Sequence, residues 1–576
     1  MAIYTEWGKN LDLRHPLQEY PRMFLQRDSY MNLNGTWEYQ ITGLKEEPRP
    51  ERWQKIVVPF ALGSRLSGTD DILQPGEALW YRKQFAYKPG VNHTWLNFEA
   101  VDQVATVYLN GMEVGTHRGG YTPFSFDISS MIKYQNSLMV RCTDDSDLGS
   151  FLYGKQKLEH GGMWYTPSSG IWQSVWLEDL AEHAVHDIKI TPDFDEAKVY
   201  IDLAGNFSQA VITVSTGGRV VHRGLTNDTH YEADIPDMHP WTPDDPFLYD
   251  LYVQTEDDVV KSYFGMRKFS RGYDKEGVPR FMLNNKPLFL SGLLDQGYTP
   301  DGLLTYPDDQ AMIYDIRKMK ELGYNMLRKH VKVDMRRWYY HCDRMGMLVM
   351  QDIPNGGGPY DFQVTAVLPN LGIRRMDDRE SKGMGGTDQQ HRKIYYEELD
   401  DILDDLYNCV SVFAWVPFNE GWGQFNSREV TDYIRSYDTT RLIDSASGWH
   451  DQGCGDFNSR HVYFTSFRVP AGRDDRILLL SEFGGYSFLE WGHSEAEKLY
   501  GYKKFKDKPA LDQAVYDLYD RQILPNIRRG LSGCIYTQLS DVEDECNGVL
   551  TADRQVVKLD ARRMKKMNDR CIRRLK

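Results

Sequence analysis

The sequence predicts three folding units in series: a jelly-roll β-sandwich over residues 1–183, an immunoglobulin-like β-sandwich over 184–271 and a (β/α)8 barrel over 272–576. Three observations carry this. Up to about residue 183 the chain shows short alternating apolar runs and no convincing long helix. From 184 to 271 strand-like runs continue with a different rhythm. From about 272 the period switches to strands alternating with amphipathic helices. A chain of 576 residues has room for about three or four domains.

In the first unit the runs Thr36–Ile41, Trp80–Phe85, Trp95–Ala100, Ala105–Leu109, Ser137–Arg141 and Trp172–Leu177 read as strands. Asn110-Gly111 between two of these runs is a two-residue hairpin signal, because both residues tolerate positive φ. In the second unit VYIDLAG, AVITVST, GRVVHRG, LYDLYVQT and VKSYFGM are separated by polar or glycine-containing turns. About seven strands in so short a span suit an immunoglobulin-like sandwich. In the third unit PLFLSG, YNMLR, MLVMQD, VSVFAWVPF, RLIDSA, HVYFTS, ILLLS and CIYTQL supply eight candidate barrel strands. Asp308 and Asp309 cap a helix with an apolar face of Met312, Ile316, Met319 and Leu322, closed by Gly323. Asp334 is expected to cap the next helix, which ends at Gly346, and a further helix is expected over Ile394–Tyr407. The stretch Asp352–Arg392 is too long for a plain connection and is expected to be functional or mobile.

Composition narrows the function. A net charge of −15 argues against a nucleic-acid or anionic-membrane partner, which needs clustered Lys and Arg. The basic run Arg562, Arg563, Lys565, Lys566, Arg570, Arg573, Arg574 and Lys576 reads as the solvated face of a last helix. Seven cysteines with no C-x-x-C and no Cys/His cluster suggest neither a zinc site nor a disulfide framework. No signal peptide and no 18-residue apolar span are visible, so a cytoplasmic protein is expected. Aromatic residues make up 13%, which suits both large cores and sugar-binding faces.

In a barrel, reactive side chains stand at the C-terminal ends of the strands. The fourth run ends in Phe418-Asn419-Glu420-Gly421-Trp422 and the seventh in Ser481-Glu482-Phe483-Gly484-Gly485. A carboxylate at the mouth of so apolar a strand has a raised pKa unless something pairs with it. Two of them over one pocket are the minimum apparatus of glycoside hydrolysis, one giving a proton and the other attacking the anomeric carbon. The plainer role for either Glu is a rim ion pair; their joint occurrence favours the chemical one.

With these residues in place, the chain resembles glycoside hydrolase family 2, the β-galactosidase and β-glucuronidase group, over essentially its whole length. The resemblance rests on LNGTWEYQ (33–40), VYLNGMEVG (107–115), GIWQSVWLE (170–178), YFGMRKF (263–269), NMLRKH (325–330), VPFNEGWGQ (416–424) and LLLSEFGG (478–485). It implies the same three-part fold, Glu420 as general acid/base and Glu482 as nucleophile. It implies that Asn419 binds the sugar 2-hydroxyl, that Arg328 pairs with the nucleophile and that Tyr463 hydrogen-bonds it. His330 falls in a segment one residue shorter than the family pattern. Asp352 is a candidate for the O4/O6 side of the sugar, Gln538 and Asp541 for its hydroxyls, Trp422 and Trp449 as stacking platforms, and Trp164 as a contact from a sandwich loop reaching the barrel mouth. Each has a plainer alternative in capping, packing or loop solvation.

Glucuronidases of this family clasp the sugar carboxylate with an Asn-x-Lys pair, but the matching stretch here is Glu545-Cys546-Asn547-Gly548. An acid beside a uronate would be repulsive. A neutral sugar, galactose first, is therefore expected; a uronide, arabinopyranoside, mannoside or glucoside stays open, as does a non-catalytic carbohydrate-binding protein or a transglycosylase. No cofactor and no metal are expected, and the resemblance implies a homo-oligomer.

Overall fold

The computed structural model describes residues 2–88, 93–378, 382–472, 474–496 and 498–575. Two antiparallel sheets open the chain. A six-stranded sheet runs Gln54–Val58, Gly35–Gly43, Glu77–Ala86, Gln135–Thr143, Val104–Leu109, Met112–Arg118 in spatial order. A four-stranded sheet runs Met31–Asn32, Val175–Leu180, His93–Phe98, Phe124–Asp127. Alternation decides the packing: in Gln135–Thr143 the residues Leu138, Val140 and Cys142 are buried while their neighbours are half exposed. They meet Trp37, Ile56, Leu96, Phe98 and Leu177 in one core. The predicted hairpin forms, with Asn110 at φ 54° and Gly111 at φ 82°, the two positive angles that a type I′ turn requires.

The second pair of sheets has three strands (Val185–Asp193, Lys198–Gly205, His230–Asp234) and four (Arg219–Thr226, Ala210–Thr216, Tyr249–Gln254, Val259–Phe264). Two of these seven, Val185–Asp193 and His230–Asp234, do not figure in the sequence reading. Both mix charged residues into the alternation, which dilutes the signal.

The third part is an eight-stranded, all-parallel sheet, in spatial order strands 5-4-3-2-1-8-7-6 of the barrel. In chain order the strands are Leu290–Asp295, Met326–Lys329, Leu348–Asp352, Val412–Val416, Leu442–Ile443, Phe457–Val462, Ile477–Gly484 and Leu531–Thr537. Their side chains divide between two cores. Met326, Met350, Ala414, Phe457 and Leu479 fill one, and Leu327, Val349, Val412 and Leu478 pack with the helix residues Met312, Ile316 and Met319 in the other. The sixth strand begins four residues before the predicted HVYFTS, because polar Asn458, Ser459 and Arg460 mask its start.

Helix Asp309–Glu321 has the predicted cap, Asp308 accepting from the Ala311 N–H. The Asp334 cap does not form. Helix Arg336–Met345 is preceded by Met335 without a side-chain cap, and the Asp334 carboxylate instead receives Lys329 Nζ at 2.7 Å. A buried lysine needs a counter-charge more than a helix end needs an acceptor. Gly346, at φ 71°, closes this helix with its N–H on the Cys342 carbonyl. The long insert between the third and fourth strands carries helix Gln389–Leu406, longer at its start than the pattern indicated. Terminal helix Ala561–Arg573 buries Met564, Met567, Asn568 and Cys571 and turns its cations outward; Lys576 lies outside the described residues.

Candidate active site

The second, third, fourth, sixth and seventh barrel strands deliver their ends to one point. Arg328, on the second strand, is fully buried. Its Nε and Nη2 donate to the two oxygens of Asp352, each at 2.9 Å. Nη2 also reaches Asn419 Oδ1 at 2.8 Å, and Nη1 reaches Glu482 Oε1 at 3.2 Å. A planar guanidinium is suited to this, because its donors point in several fixed directions at once. The expected pairing of Arg328 with Glu482 is therefore present. Asp352 departs from expectation: both its oxygens are taken by Arg328, and it acts as an anchor for that side chain rather than as a free acceptor for a sugar.

Glu482 lies within the seventh strand, where strict alternation would aim it with Leu480 away from the barrel interior. The pairing register shifts between Leu480 and Phe483, and again opposite Arg460/His461. This bulge turns Glu482 inward. Tyr463, just past the sixth strand, donates to Glu482 Oε2, accepts from Thr537 Oγ1 (2.9 Å), and stacks on Tyr502 with ring centroids 3.6 Å apart. Glu420 follows the fourth strand at φ 52°, a left-handed conformation that costs a non-glycine residue about 1–3 kcal/mol. Its backbone N–H on the Ser447 carbonyl, at 3.1 Å, helps hold that turn.

One oxygen of each Glu and one nitrogen of His461 all lie within 4.8 Å of one another. His461 Nδ1 is 2.7 Å from Glu420 Oε1, and its Nε2 is 3.4 Å from Glu482 Oε1. A guanidinium at 3.2 Å from Glu482 and the contact of His461 Nδ1 with Glu420 join the group. Burial pushes Glu420 up to about 8, opposed by Lys155 and Arg328. Burial raises Glu482 too, but His461, Arg328 and the Tyr463 hydroxyl pull it back. Burial thus raises both carboxyls, and the groups that oppose it differ: Lys155 and Arg328 at Glu420, and His461, Arg328 and Tyr463 at Glu482.

Around this pair, buried polar atoms stand without partners: Asn419 Nδ2, His330 Nε2, Gln538 Nε2 and Asn547 Oδ1. Gln296 links two of them, donating to Gln538 Oε1 at 2.7 Å and facing His330 Nδ1 at 3.0 Å with its own oxygen. His330 Nδ1 therefore carries the proton, and its bare Nε2 lies 3.6 Å from Glu482 Oε1. Burial drives this imidazole well below its ordinary pKa, so it stays neutral.

The loop from the first sandwich does reach the barrel mouth. Tyr153 and Gly154 donate to the Asn355 carbonyl, Gly162 to Asp544 at 3.1 Å and Thr166 to Glu543 at 2.9 Å. Trp164 packs on Trp422 at 5.0 Å, and Trp422 stacks on Tyr360. Trp422 is 4% exposed, so it is mainly a wall of this aromatic group. Trp449 lies beside His461, rings 6.1 Å apart. Asp541 binds Lys558 Nζ at 2.6 Å and the Gly548 N–H at 2.8 Å, both through Oδ1, and its buried Oδ2 has no partner among the described residues.

Three residues of the site were missed in the sequence. His461 is two residues before Tyr463, so strand alternation from that tyrosine points to it. Tyr502 lies in a loop with no signal. Lys155 comes from the sandwich loop; its ammonium is buried, 4.0 Å from Glu545 Oε2 and 5.4 Å from the Trp422 ring centroid. Glu545 in turn accepts from the Tyr165 hydroxyl and from Asn547 Nδ2 at 3.4 Å.

Comparison with known proteins places this geometry in context. Three family models match in series: glycosyl hydrolase 2 galactose-binding domain-like over residues 71–163, glycosyl hydrolases family 2 over 183–267, and the family 2 TIM barrel domain over 277–469. A β-galactosidase of Thermoanaerobacter pseudethanolicus is 29% identical over 310 residues, covering 48% of this chain and 39% of that protein. A putative β-glucuronidase of Formosa agariphila is 27% identical over 443 residues, covering 72% of this chain and 49% of that protein. The chain thus spans less than half the length of these curated relatives. Among solved structures, a β-glucuronidase from an uncultured Clostridium superposes with a TM-score of 0.75 at 18% identity, over 95% of this chain and 99% of the other. A β-galacturonidase from Eisenbergiella tayi gives 0.67 at 18%, over 95% and 98%. At that identity the superpositions establish the shared fold. Three consecutive matches to one family, together with sandwiches and barrel in the order its models describe, show that the chain belongs to glycosyl hydrolase family 2.

Proposed function

We propose that the chain is a retaining exo-β-glycosidase that removes a terminal neutral sugar, as a β-galactosidase does. The observation that carries this is the convergence of Glu420 and Glu482, with reactive oxygens within 4.8 Å. Retaining enzymes hold their carboxyl groups ~5–5.5 Å apart, whereas inverting ones leave room for water at ~6.5–9.5 Å. In the first step Glu482 attacks C1, the glycosidic bond breaks, and the Glu420 proton passes to the leaving oxygen. In the second, Glu420 takes a proton from water, whose oxygen displaces Glu482 from C1. Arg328 and Tyr463 keep Glu482 ionised for attack, and Asn419 Nδ2 is free to donate to the 2-hydroxyl.

The preference for a neutral sugar rests on Lys155 and Glu545. Their charged atoms are 4.0 Å apart. A hydroxyl oxygen about 2.8 Å from both fits that gap, accepting from the ammonium and donating to the carboxylate. A uronate would set its own charge against Glu545. A second reading, a uronide, is favoured by the Lys155 ammonium alone, which makes no hydrogen bond among the described residues.

Assay of nitrophenyl β-galactoside, β-glucuronide, β-galacturonide, β-mannoside and α-arabinopyranoside decides between these readings. Galactoside turnover that disappears in Glu482→Gln supports the proposal. Preference for a uronide replaces the neutral-sugar reading, and inactivity on every member leaves a carbohydrate-binding protein. The same proposal includes the division at 183/184 and 271/272, a homo-oligomer in solution and a cytoplasmic site. Seven unpaired cysteines support a reducing compartment, and among the described residues no helix is long and apolar enough to cross a membrane.

A further inference from the structure

Tyr463 carries the hydroxyl that bonds the nucleophile, yet it stands past the end of the sixth strand. The last ladder pair there is Val462 with Phe483, so Tyr463 enters the following bend without that support. Its hydroxyl meets Glu482 Oε2 and Thr537 Oγ1. Both bonds act at the tip of the side chain and leave the ring plane to its packing. The ring of Tyr502 lies flat on that of Tyr463, with centroids 3.6 Å apart and planes within 7° of parallel.

Tyr502 comes from the return that follows the seventh strand. Two short pairings, Tyr486 with Lys503 and Ser487 with Lys504, tie this return to the strand end, and the Tyr502 N–H donates to the Gly485 carbonyl at 3.2 Å. Phe464 and Tyr500 pack against the Tyr502 ring edge-on, at 5.3 Å and 71° and at 6.5 Å and 66°. Gly485 leaves the space for the stack. A Cβ there would stand 2.4 Å from Tyr502 Cδ2 and 3.3 Å from Tyr463 Cε1, and its φ of 61° is one that glycine adopts without strain. The stack therefore links the tyrosine after the sixth strand to the strand that bears Glu482. A hydrogen bond weakens steeply when its donor leaves the favoured distance and angle. The Tyr463 O–H stabilises the Glu482 anion only while it stays on Oε2, and a ring packed flat against a neighbour cannot swing toward that neighbour.

We propose that Tyr502 is a positioning residue for the nucleophile: its ring braces Tyr463 so that the Tyr463 hydroxyl stays on Glu482. This rests on the glycosidase reading above. Other groups bear on Glu482 and are part of the balance. Arg328 and His461 favour its anion, Glu420 opposes it, and His330 Nε2 faces it at 3.6 Å. These act directly on the carboxyl. Tyr502 acts through one hydrogen bond, and Thr537 is the rival support of the same hydroxyl.

The test measures kcat/KM against pH in variants of the full chain, with the best nitrophenyl glycoside from the panel. The acid limb reports protonation of Glu482 in the free enzyme. Tyr463→Phe removes the hydroxyl and sets the reference. A hydrogen bond to the charged form is lost, so the limb rises by about one pH unit, about tenfold in kcat/KM on its acid side. Tyr502→Leu fills the space without a flat face and reproduces that rise while Tyr463 is intact. Tyr502→Phe keeps the ring and with it the wild-type limb. Adding Tyr502→Leu to Tyr463→Phe moves the limb no further, because the bond it acts through is already gone.

An acid limb that stays put in Tyr502→Leu overturns the proposal and leaves Thr537 as the sufficient support of Tyr463. So does a limb that moves as far in Tyr502→Phe as in Tyr502→Leu, or a pair of shifts that add in the double variant. Should Tyr502→Leu not fold, Gly485→Ala displaces the same ring from the strand side. Measured alone and with Tyr463→Phe, it carries the same expectation, and an unmoved limb or additive shifts there overturn the proposal equally. Wild-type protein inactive across the whole panel overturns the glycosidase reading and this inference with it. An active wild type whose Tyr502 variants keep its acid limb overturns this inference alone.

Discussion

Replacing Arg328 by Met separates two consequences that the structure ties to one side chain. The guanidinium is fully buried and holds Asp352 with two bonds of 2.9 Å, Asn419 with one of 2.8 Å and Glu482 with one of 3.2 Å. Removing one member of a buried ion pair costs about 3–5 kcal/mol, because the other charge is left enclosed. For Asp352, which burial already holds near 6 with the arginine present, the outcome is protonation at neutral pH. That part of the loss appears as a lower melting temperature. For Glu482, an opposite charge at this range lowers a carboxyl by about 1–3 units, so its removal lifts the acid limb of kcat/KM by that amount. At 1.36 kcal/mol per unit this is about 1.4–4 kcal/mol, or roughly 10- to 1000-fold in kcat/KM on the acid side of the new limb. The assay is a pH profile of kcat/KM beside a thermal melt. Arg328→Lys falls between, since one ammonium cannot span Asp352, Asn419 and Glu482. A Met variant that is destabilised but keeps the wild-type acid limb refutes the argument, because the arginine would then serve the fold and not the nucleophile.

Other outcomes follow from the same geometry. Glu420→Ala lowers turnover of a nitrophenyl glycoside by about 10²–10⁴-fold, spares the dinitrophenyl glycoside, and is rescued by azide with a β-glycosyl azide as product; an α-azide or no rescue counts against the assignment. With Glu420 raised to about 8 by burial, wild-type kcat/KM stays high through neutral pH and falls as pH rises through 8, where the acid loses its proton. An alkaline limb near 5 would mean that the environment of Glu420 is misread. Tyr165→Phe withdraws the hydroxyl that holds buried Glu545, costing about 1–3 kcal/mol in folding stability and raising KM for a neutral glycoside. An unchanged KM would place Glu545 outside the sugar site.

Much of this architecture was legible in the residues, and the exceptions have physical causes. Gly35–Gly43 is readable from its alternation, and Leu348–Asp352 from a short, fully buried run. Val185–Asp193 and the start of the sixth barrel strand are obscured because His186, Asp187, Asn458 and Arg460 interrupt the pattern for tertiary reasons. The two Glu stand out because an acid after a buried run is costly. The bulge that aims Glu482 inward leaves no mark in the sequence, since it belongs to pairing with two neighbouring strands. Asp352 and Asp541 are acids at strand ends like Glu420, and nothing local says that one faces Arg328 and the other Lys558. Lys155 is invisible for a different reason: its meaning comes from Glu545 and Trp422, which join it only when the sandwich meets the barrel.

That meeting has a consequence for how selectivity can change. Arg328 and Glu482 stand on parallel strands with neighbours on both sides, and Glu420 in the turn that follows another. The wall carrying Lys155, Trp164 and Tyr165 belongs to a hairpin-like excursion of another fold, attached to the rim by Asn355, Glu543, Asp544 and Glu545. Insertions or exchanges in that excursion leave the barrel ladder untouched. A lineage is free to retune which sugar is admitted by editing the visiting segment, while the bond-breaking centre stays as it is.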